Sequence, residues 1–221
     1  MNILILGASR GIGLEFVRQY RAAGDTVIAS ARTAAGLQRI EDLGAKALKL
    51  DVADPASISG LGWQLDGEQL DLALYVAGVY TRGGATEPPS QAEFDRAMRT
   101  NVLGAMQAIP QVAPLLEAAG GKFVFITSDM GRISGGGSSH GWVYRASKAA
   151  LNMAVVAAQP DYPNAIFALI NPGWVRTDLG GANAPLTVED SVATMRKTIA
   201  GLTRADRGAY YNHDGRRFDG W

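Results

Sequence analysis

The stretch Asn2-Ile3-Leu4-Ile5-Leu6-Gly7-Ala8-Ser9-Arg10-Gly11-Ile12-Gly13 decides the fold. Four consecutive branched aliphatics, with no polar alternation, read as a strand buried on both faces, the condition of a parallel sheet covered by helices. The turn that follows has the spacing G-x-x-x-G-x-G. Its first glycine permits a tight turn, and the later ones let backbone approach a pyrophosphate and let a helix pack closely on the sheet. Free amides and the dipole at the start of that helix favour phosphate anions. No Gly-Lys-Ser/Thr ending follows, which disfavours a nucleotide-triphosphate loop.

The same alternation runs outward through the chain. Strands are expected at 2–6, 26–30, 46–50, 72–76, 122–127, 166–171 and, more weakly, 209–212. Amphipathic helices are expected at 11–23, 33–43, 55–65, 91–118, 144–158 and 187–202. Repeated strand–helix units without a linker or internal repeat predict one domain over residues 1–221. The expected architecture is an α/β, doubly wound, Rossmann-type domain with a central parallel sheet of about seven strands and helices on both faces.

Composition narrows the function. Hydrophobic residues make up 47% and charged residues 19%, which argues for a buried core and against disorder. Lys plus Arg number 21 and Asp plus Glu number 21, so no basic excess points to nucleic acid. With no cysteine, disulfide scaffolds, thiol nucleophiles and zinc–thiolate or iron–sulfur sites are excluded. His140 and His213 lack ligand-type spacing and read as structural or surface residues, so no metal is expected. The absence of a leader-like or membrane-spanning run makes a cytoplasmic protein the expectation.

Glycine is over-used: 27 of 221 residues, about 12% where roughly 7% is usual. The excess gathers in four clusters, each just after an expected strand: Gly7-Gly11-Gly13, Gly78-Gly83-Gly84, Gly131-Gly135-Gly136-Gly137-Gly141 and Gly173-Gly180-Gly181. Ligands of open α/β sheets bind at that edge. At the end of the second strand stand Ser30, Ala31 and Arg32, with no acid to bond a ribose 2′-hydroxyl. Arg32 and Arg10 together favour the 2′-phosphate of NADP(H), with NAD(H) as the alternative if both are merely solvated charges.

In Val143-Tyr144-Arg145-Ala146-Ser147-Lys148, residues Tyr144 and Lys148 share a helix face. A neighbouring ammonium, together with the positive charge of an oxidised nicotinamide, favours phenolate and is expected to bring the tyrosine pKa down. Taken in order, Gly7-x-x-x-Gly11-x-Gly13, Asn101, Ser128, Tyr144-x-x-x-Lys148 and Pro172-Gly173 closely resemble the short-chain dehydrogenase/reductases. The likeness spans essentially the whole chain and is closest to the single-domain branch. Within that branch, 144–152, 171–178 and the ending Asp214-Gly215 to Trp221 resemble the C-factor-like carbonyl reductases.

The resemblance implies roles for individual residues. Tyr144 is the expected acid/base. Lys148 is expected to lower its pKa and hold the nicotinamide ribose, and Ser128 to fix the substrate oxygen. Asn101 is expected to support a water that links Lys148 to solvent. Gly7, Ser9, Arg10, Gly11, Ile12 and Gly13 form the pyrophosphate turn, with Arg32 at the adenosine end. Asp51 and Val52 border the adenine, Ala77 and Gly78 pass the adenine-side ribose, and Pro172, Gly173, Val175 and Thr177 seat the nicotinamide. Ser134, Ser138 and Ser139 compete with Ser128 but lie in a glycine-rich loop rather than at a strand end. Trp142 and Trp174 read equally as core or as pocket walls.

Two departures from the family pattern stand out. The usual Asn-Asn-Ala-Gly is Tyr75-Val76-Ala77-Gly78, so the bonds of two asparagines must come from elsewhere. Ser128 and Tyr144 stand 16 residues apart (144 − 128), a few more than usual, with the extra length in 135–139. The expected reaction is hydride transfer between NADP(H) and a small, fairly apolar aldehyde, ketone or alcohol. The rival expectation is a dinucleotide-binding regulator of C-factor type with little turnover. By analogy a homodimer or homotetramer is expected, packed through 91–118 and 144–158. No nucleic-acid or membrane partner is expected.

Overall fold

In the computed structural model, which describes residues 1–134 and 136–221, the opening aliphatic run is β1 (Asn2–Leu6). The other strands are β2 (Thr26–Ala31), β3 (Lys46–Lys49), β4 (Leu72–Tyr75), β5 (Lys122–Ile126), β6 (Ile166–Asn171) and β7 (Ala209–Asn212). They form one sheet in the order β3-β2-β1-β4-β5-β6-β7, and every neighbouring pair is parallel. Strand order reverses at β1, which pairs with both β2 and β4. That reversal opens the crevice in which such sheets bind ligands.

The helices are α1 (Gly11–Ala22), α2 (Ala34–Asp42), α3 (Pro55–Ser59), α4 (Leu61–Gln64), α5 (Gln91–Met98), α6 (Gly104–Ala119), α7 (Trp142–Ala158) and α8 (Val188–Gly201). Alternate strand residues face opposite layers. Leu4, Leu6, Phe123, Phe125 and Phe167 pack with residues of α3, α4, α6 and α7, such as Ile58, Leu61, Val112 and Leu151. Ile3, Ile5, Val124 and Ile126 pack with Phe16 and Val17 of α1, Ile40 of α2 and Met195 of α8. Two-sided burial is thus why β1 carries no polar alternation, each such side chain contributing about 1.5–3 kcal/mol.

Local punctuation differs from expectation in three places. The run expected as one helix over 91–118 is broken by a π-helical turn, Arg99–Leu103, between α5 and α6. The run 55–65 is two short helices divided at Gly60. The catalytic-segment helix starts at Trp142 because Gly141, in the left-handed region at φ 69°, supplies its N-cap. Both sheet edges are dressed. Outside β7 the chain returns so that Asn212 donates to the Arg216 carbonyl and Phe218 to that of Tyr210. The other edge, β3, has four residues and exposes Lys46 and Lys49. Among the described residues, no helix is long and apolar enough to cross a membrane.

Candidate active site

The glycine turn lies at the strand-order reversal. Gly7 takes φ 94°, and a Cβ there would stand 2.6 Å from the Ala77 amide nitrogen, so the backbones after β1 and β4 touch. A Cβ at Gly13 would run into the Gly7 carbonyl oxygen. Gly7 donates its amide to Ser30 Oγ at 3.0 Å, and Ala8 donates to the Ser30 carbonyl, which pins the turn to β2. Arg10, the N-cap of α1, is extended and gives no side-chain cap, and the first turn carries no acid. Gly11 faces Thr177, whose methyl would lie 3.5 Å from a Cβ at that glycine. Ile12 is half-buried against the core. A cradle that side chains would fill, opening on uncapped amides, fits a dinucleotide pyrophosphate.

The cations around this turn have partners that their sequence positions did not disclose. Exposed Arg32 stands 3.5 Å from half-buried Asp51, and Arg10 lies 3.5 Å from Asp178, both exposed. Each guanidinium therefore has an acid beside it, supplied from outside β2. Asp51 also accepts from the Ala53 amide at 3.0 Å, and its own amide bonds Ser57 Oγ. Val52 is buried behind it. A third cation, Arg39 of α2, donates to the Ser9 carbonyl at 2.9 Å. Its contact spans 30 residues, and no motif marks it.

Ser128, just past β5, is buried and accepts from the Met130 amide at 3.2 Å. Tyr144 and Lys148, one turn apart on α7, are also buried. Lys148 Nζ donates to the Ile126 carbonyl at 2.9 Å and lies 5.7 Å from the centre of the Tyr144 ring. The three residues expected from sequence are therefore neighbours. Burial dominates the electrostatics of the pair in the chain by itself. Burial pushes the Tyr144 phenol up to about 12, with the Ser128 hydroxyl pulling the other way. Burial alone lowers Lys148 to about 8. In the chain by itself, desolvation outweighs any help that Lys148 gives the phenolate.

Asn101 sits in the π turn with no exposed surface. Its Oδ1 accepts from the Val79 amide at 2.8 Å. Its Nδ2 donates to the Val79 carbonyl and to Ser147 Oγ, each at 2.9 Å. This side chain ties the loop after β4 to α7. Gly78 lies between: a Cβ there would be 3.5 Å from Asn101 Oδ1 and 3.6 Å from Lys148 Nζ.

On the far side, the Pro172 carbonyl accepts from Ser191, and Gly173 at φ 78° packs where a Cβ would meet Leu186 and His213. Val175 is buried and bridges to Leu186, and Thr177 Oγ1 accepts from the Gly180 amide at 3.0 Å. His213 bonds Thr194 at 2.9 Å, and exposed His140 bonds the Tyr80 hydroxyl at 2.9 Å. Trp142 is half-buried, while Trp174 is 57% exposed and outside the core. Tyr80 was missed from sequence: its ring meets that of Tyr144 edge-on at 4.9 Å.

Of the competing serines, Ser134 and Ser139 are both exposed. Ser134 accepts from Arg132, and Ser139 abuts Gly84. Within the third glycine cluster, a Cβ at Gly131 would clash with Lys148 at 2.8 Å, so this glycine lets the loop after β5 touch α7. Gly135 lies outside the described residues.

The chain belongs to the short-chain dehydrogenase/reductase family of NAD(P)-dependent oxidoreductases. The family model for short chain dehydrogenases matches residues 1–185. C-signal of Myxococcus xanthus is 33% identical over 149 residues, covering 66% of this chain and 90% of that protein. The 1-hydroxy-2-glutathionyl-2-methyl-3-butene dehydrogenase of Rhodococcus sp. (strain AD45) is 31% identical over 229 residues, 97% of each protein. Among solved structures, carbonyl reductase Sniffer of D. melanogaster has a TM-score of 0.91 at 27% identity, over 100% of this chain and 99% of that one.

Proposed function

We propose that this chain is an NADPH-dependent reductase of small, fairly apolar aldehydes and ketones. The observation that carries this reading is the burial of Ser128, Tyr144 and Lys148 together beside the loop after β4, which itself touches the glycine turn after β1. NADPH, when bound, supplies hydride; the protein orients, polarises and supplies a proton. Ser128 and Tyr144 hydrogen-bond the carbonyl oxygen. Tyr144, held at about 12, keeps its proton at neutral pH and gives it up as negative charge grows on that oxygen. Lys148 is mostly charged at neutral pH and stabilises the phenolate left behind. It also holds the ribose hydroxyls, and Gly7, Ser9, Arg10, Gly11, Ile12 and Gly13 hold the pyrophosphate.

The 2′-phosphate falls to Arg32 and Arg10, with Arg39 as their neighbour. An exposed ion pair contributes only about 0–1 kcal/mol, so Asp51 and Asp178 yield these guanidiniums readily to a phosphate. Exposed Met106 and Met153, on α6 and α7, support assembly as a homodimer or homotetramer through those helices. Similarity to C-signal favours a second reading, a dinucleotide-binding signalling protein with little turnover.

The test follows nicotinamide absorbance with a panel of carbonyls and either NADPH or NADH. Turnover with NADPH, reduced at least about 1,000-fold in Tyr144→Phe with cofactor affinity kept, is the expected result. Comparable turnover by Tyr144→Phe would overturn the role of that residue. No turnover by the native chain on any carbonyl would favour the signalling reading.

A further inference from the structure

The tyrosine that stands where the family has its first asparagine has a specific contact. Tyr75, the last residue of β4, is fully buried and stacks on Phe125 at 6.1 Å between ring centres. Its hydroxyl donates to the Thr100 carbonyl at 2.7 Å, inside the π turn. The fit depends on Gly104, because a Cβ there would stand 2.5 Å from that hydroxyl and 2.5 Å from the Val52 carbonyl oxygen. Asn101 follows Thr100 and bonds Ser147 Oγ at 2.9 Å. Ser147 Oγ in turn donates to the Tyr144 carbonyl at 2.7 Å. Asn101 and Ser147 have no exposed surface. Hydrogen bonds and one peptide link therefore run unbroken from the end of β4 to the backbone of Tyr144.

We propose that Tyr75 is a positioning residue for the catalytic helix, acting through Thr100, Asn101 and Ser147 to set the placement of Tyr144. The proposal rests on the reductase reading for its kinetic consequence but not for its structural one. The π turn is what makes the linkage workable. A π turn inserts a residue into a helix, and such bulges gather at functional sites. Here the bulge presents a carbonyl to the sheet and an amide side chain to α7. The Tyr75 hydroxyl holds that bulge from the sheet side, where the shorter side chain of an asparagine would end well before it.

Tyr75→Phe removes the hydroxyl and keeps the ring packing, so the fold is retained. A shift of the Tyr144 backbone lowers kcat about ten-fold, since misplacement by about 1 Å costs up to 100-fold. KM for the carbonyl and Kd for NADPH stay within about two-fold. Amide hydrogen exchange accelerates both at 99–104 and at 142–148. Combining Tyr75→Phe with Ser147→Ala accelerates exchange at 142–148 little beyond either change alone, because both cut one linkage. Exchange that accelerates only at 99–104, or kcat equal to that of the native chain, would overturn the proposal. If the native chain reduces no carbonyl, the reductase reading falls while the exchange pattern at 142–148 still decides whether Tyr75 positions Tyr144.

Discussion

Helices α1 and α8 lie side by side on one face of the sheet and begin in opposite ways. At the start of α8, Thr187 accepts from the Asp190 amide at 3.0 Å, and Glu189 and Asp190 fill the first turn. That end satisfies its own amides and repels an anion. At the start of α1, Arg10 gives no cap, no acid follows, and glycines strip side chains from the approach. The same physics thus stabilises one helix internally and leaves the start of the other without a side-chain cap. The contrast extends to α7, which opens on Gly141 without a side-chain cap, and to α2 and α5, which begin on Thr33 and Ser90 with caps in place.

Exchanging these properties should break the contrast. Gly13→Ala places a methyl group against the Gly7 carbonyl and should weaken NADPH binding more than about 100-fold, as a misplaced cradle loses its donor geometry. Fluorescence titration with NADPH reads it, and affinity equal to the native chain would remove the reason for the bare turn.

A smaller effect sharpens the difference in energetic terms. Lys148 lies at about 8, below the ordinary 10.5, so the unfolded chain binds more protons between those values. Its contribution to stability accordingly rises with pH through that window. Tyr144 has the opposite sign: raised to about 12 from 10.0, it stabilises fully below the unfolded value and loses that contribution as pH climbs toward 12. Urea unfolding from about pH 7.5 to about pH 9.5 should therefore raise the native chain by about 1–2 kcal/mol relative to Lys148→Met. A gap independent of pH would contradict a depressed Lys148. Smallest of all, Thr187→Ala should cost about 1 kcal/mol of stability by urea unfolding and leave NADPH affinity unchanged. A change in that affinity would mean the far helix start shares in the site.

Features set by nearest neighbours were legible in the sequence. The aliphatic run of β1 and the glycines after it needed only local chemistry, and all seven strands lie at the expected positions. Less legible was what depends on distant contact. Nothing in 91–118 marks the π turn, because its stabilising partners, Tyr75, Val79 and Ser147, arrive from 22 to 46 residues away. Arg39 shows the same limit. Burial of Tyr144 and Lys148 shows a related limit: spacing reveals a neighbouring charge but not the depth at which the pair is buried. The acids beside Arg10 and Arg32 come from the loops after β6 and β3, so β2 by itself could not show them.

The return of the chain outside β7 has a consequence for the protein in a crowded solution. A sheet ending in bare amides and carbonyls is a template on which a second molecule can extend strand pairing. Here the Arg216 carbonyl and the Phe218 amide occupy groups of β7 that an intruding strand would use. At the opposite border, Lys46 and Lys49 surround a strand too short to recruit one. A parallel sheet, slow to assemble and exposed while it does so, is thereby guarded at both borders against growing into its neighbours.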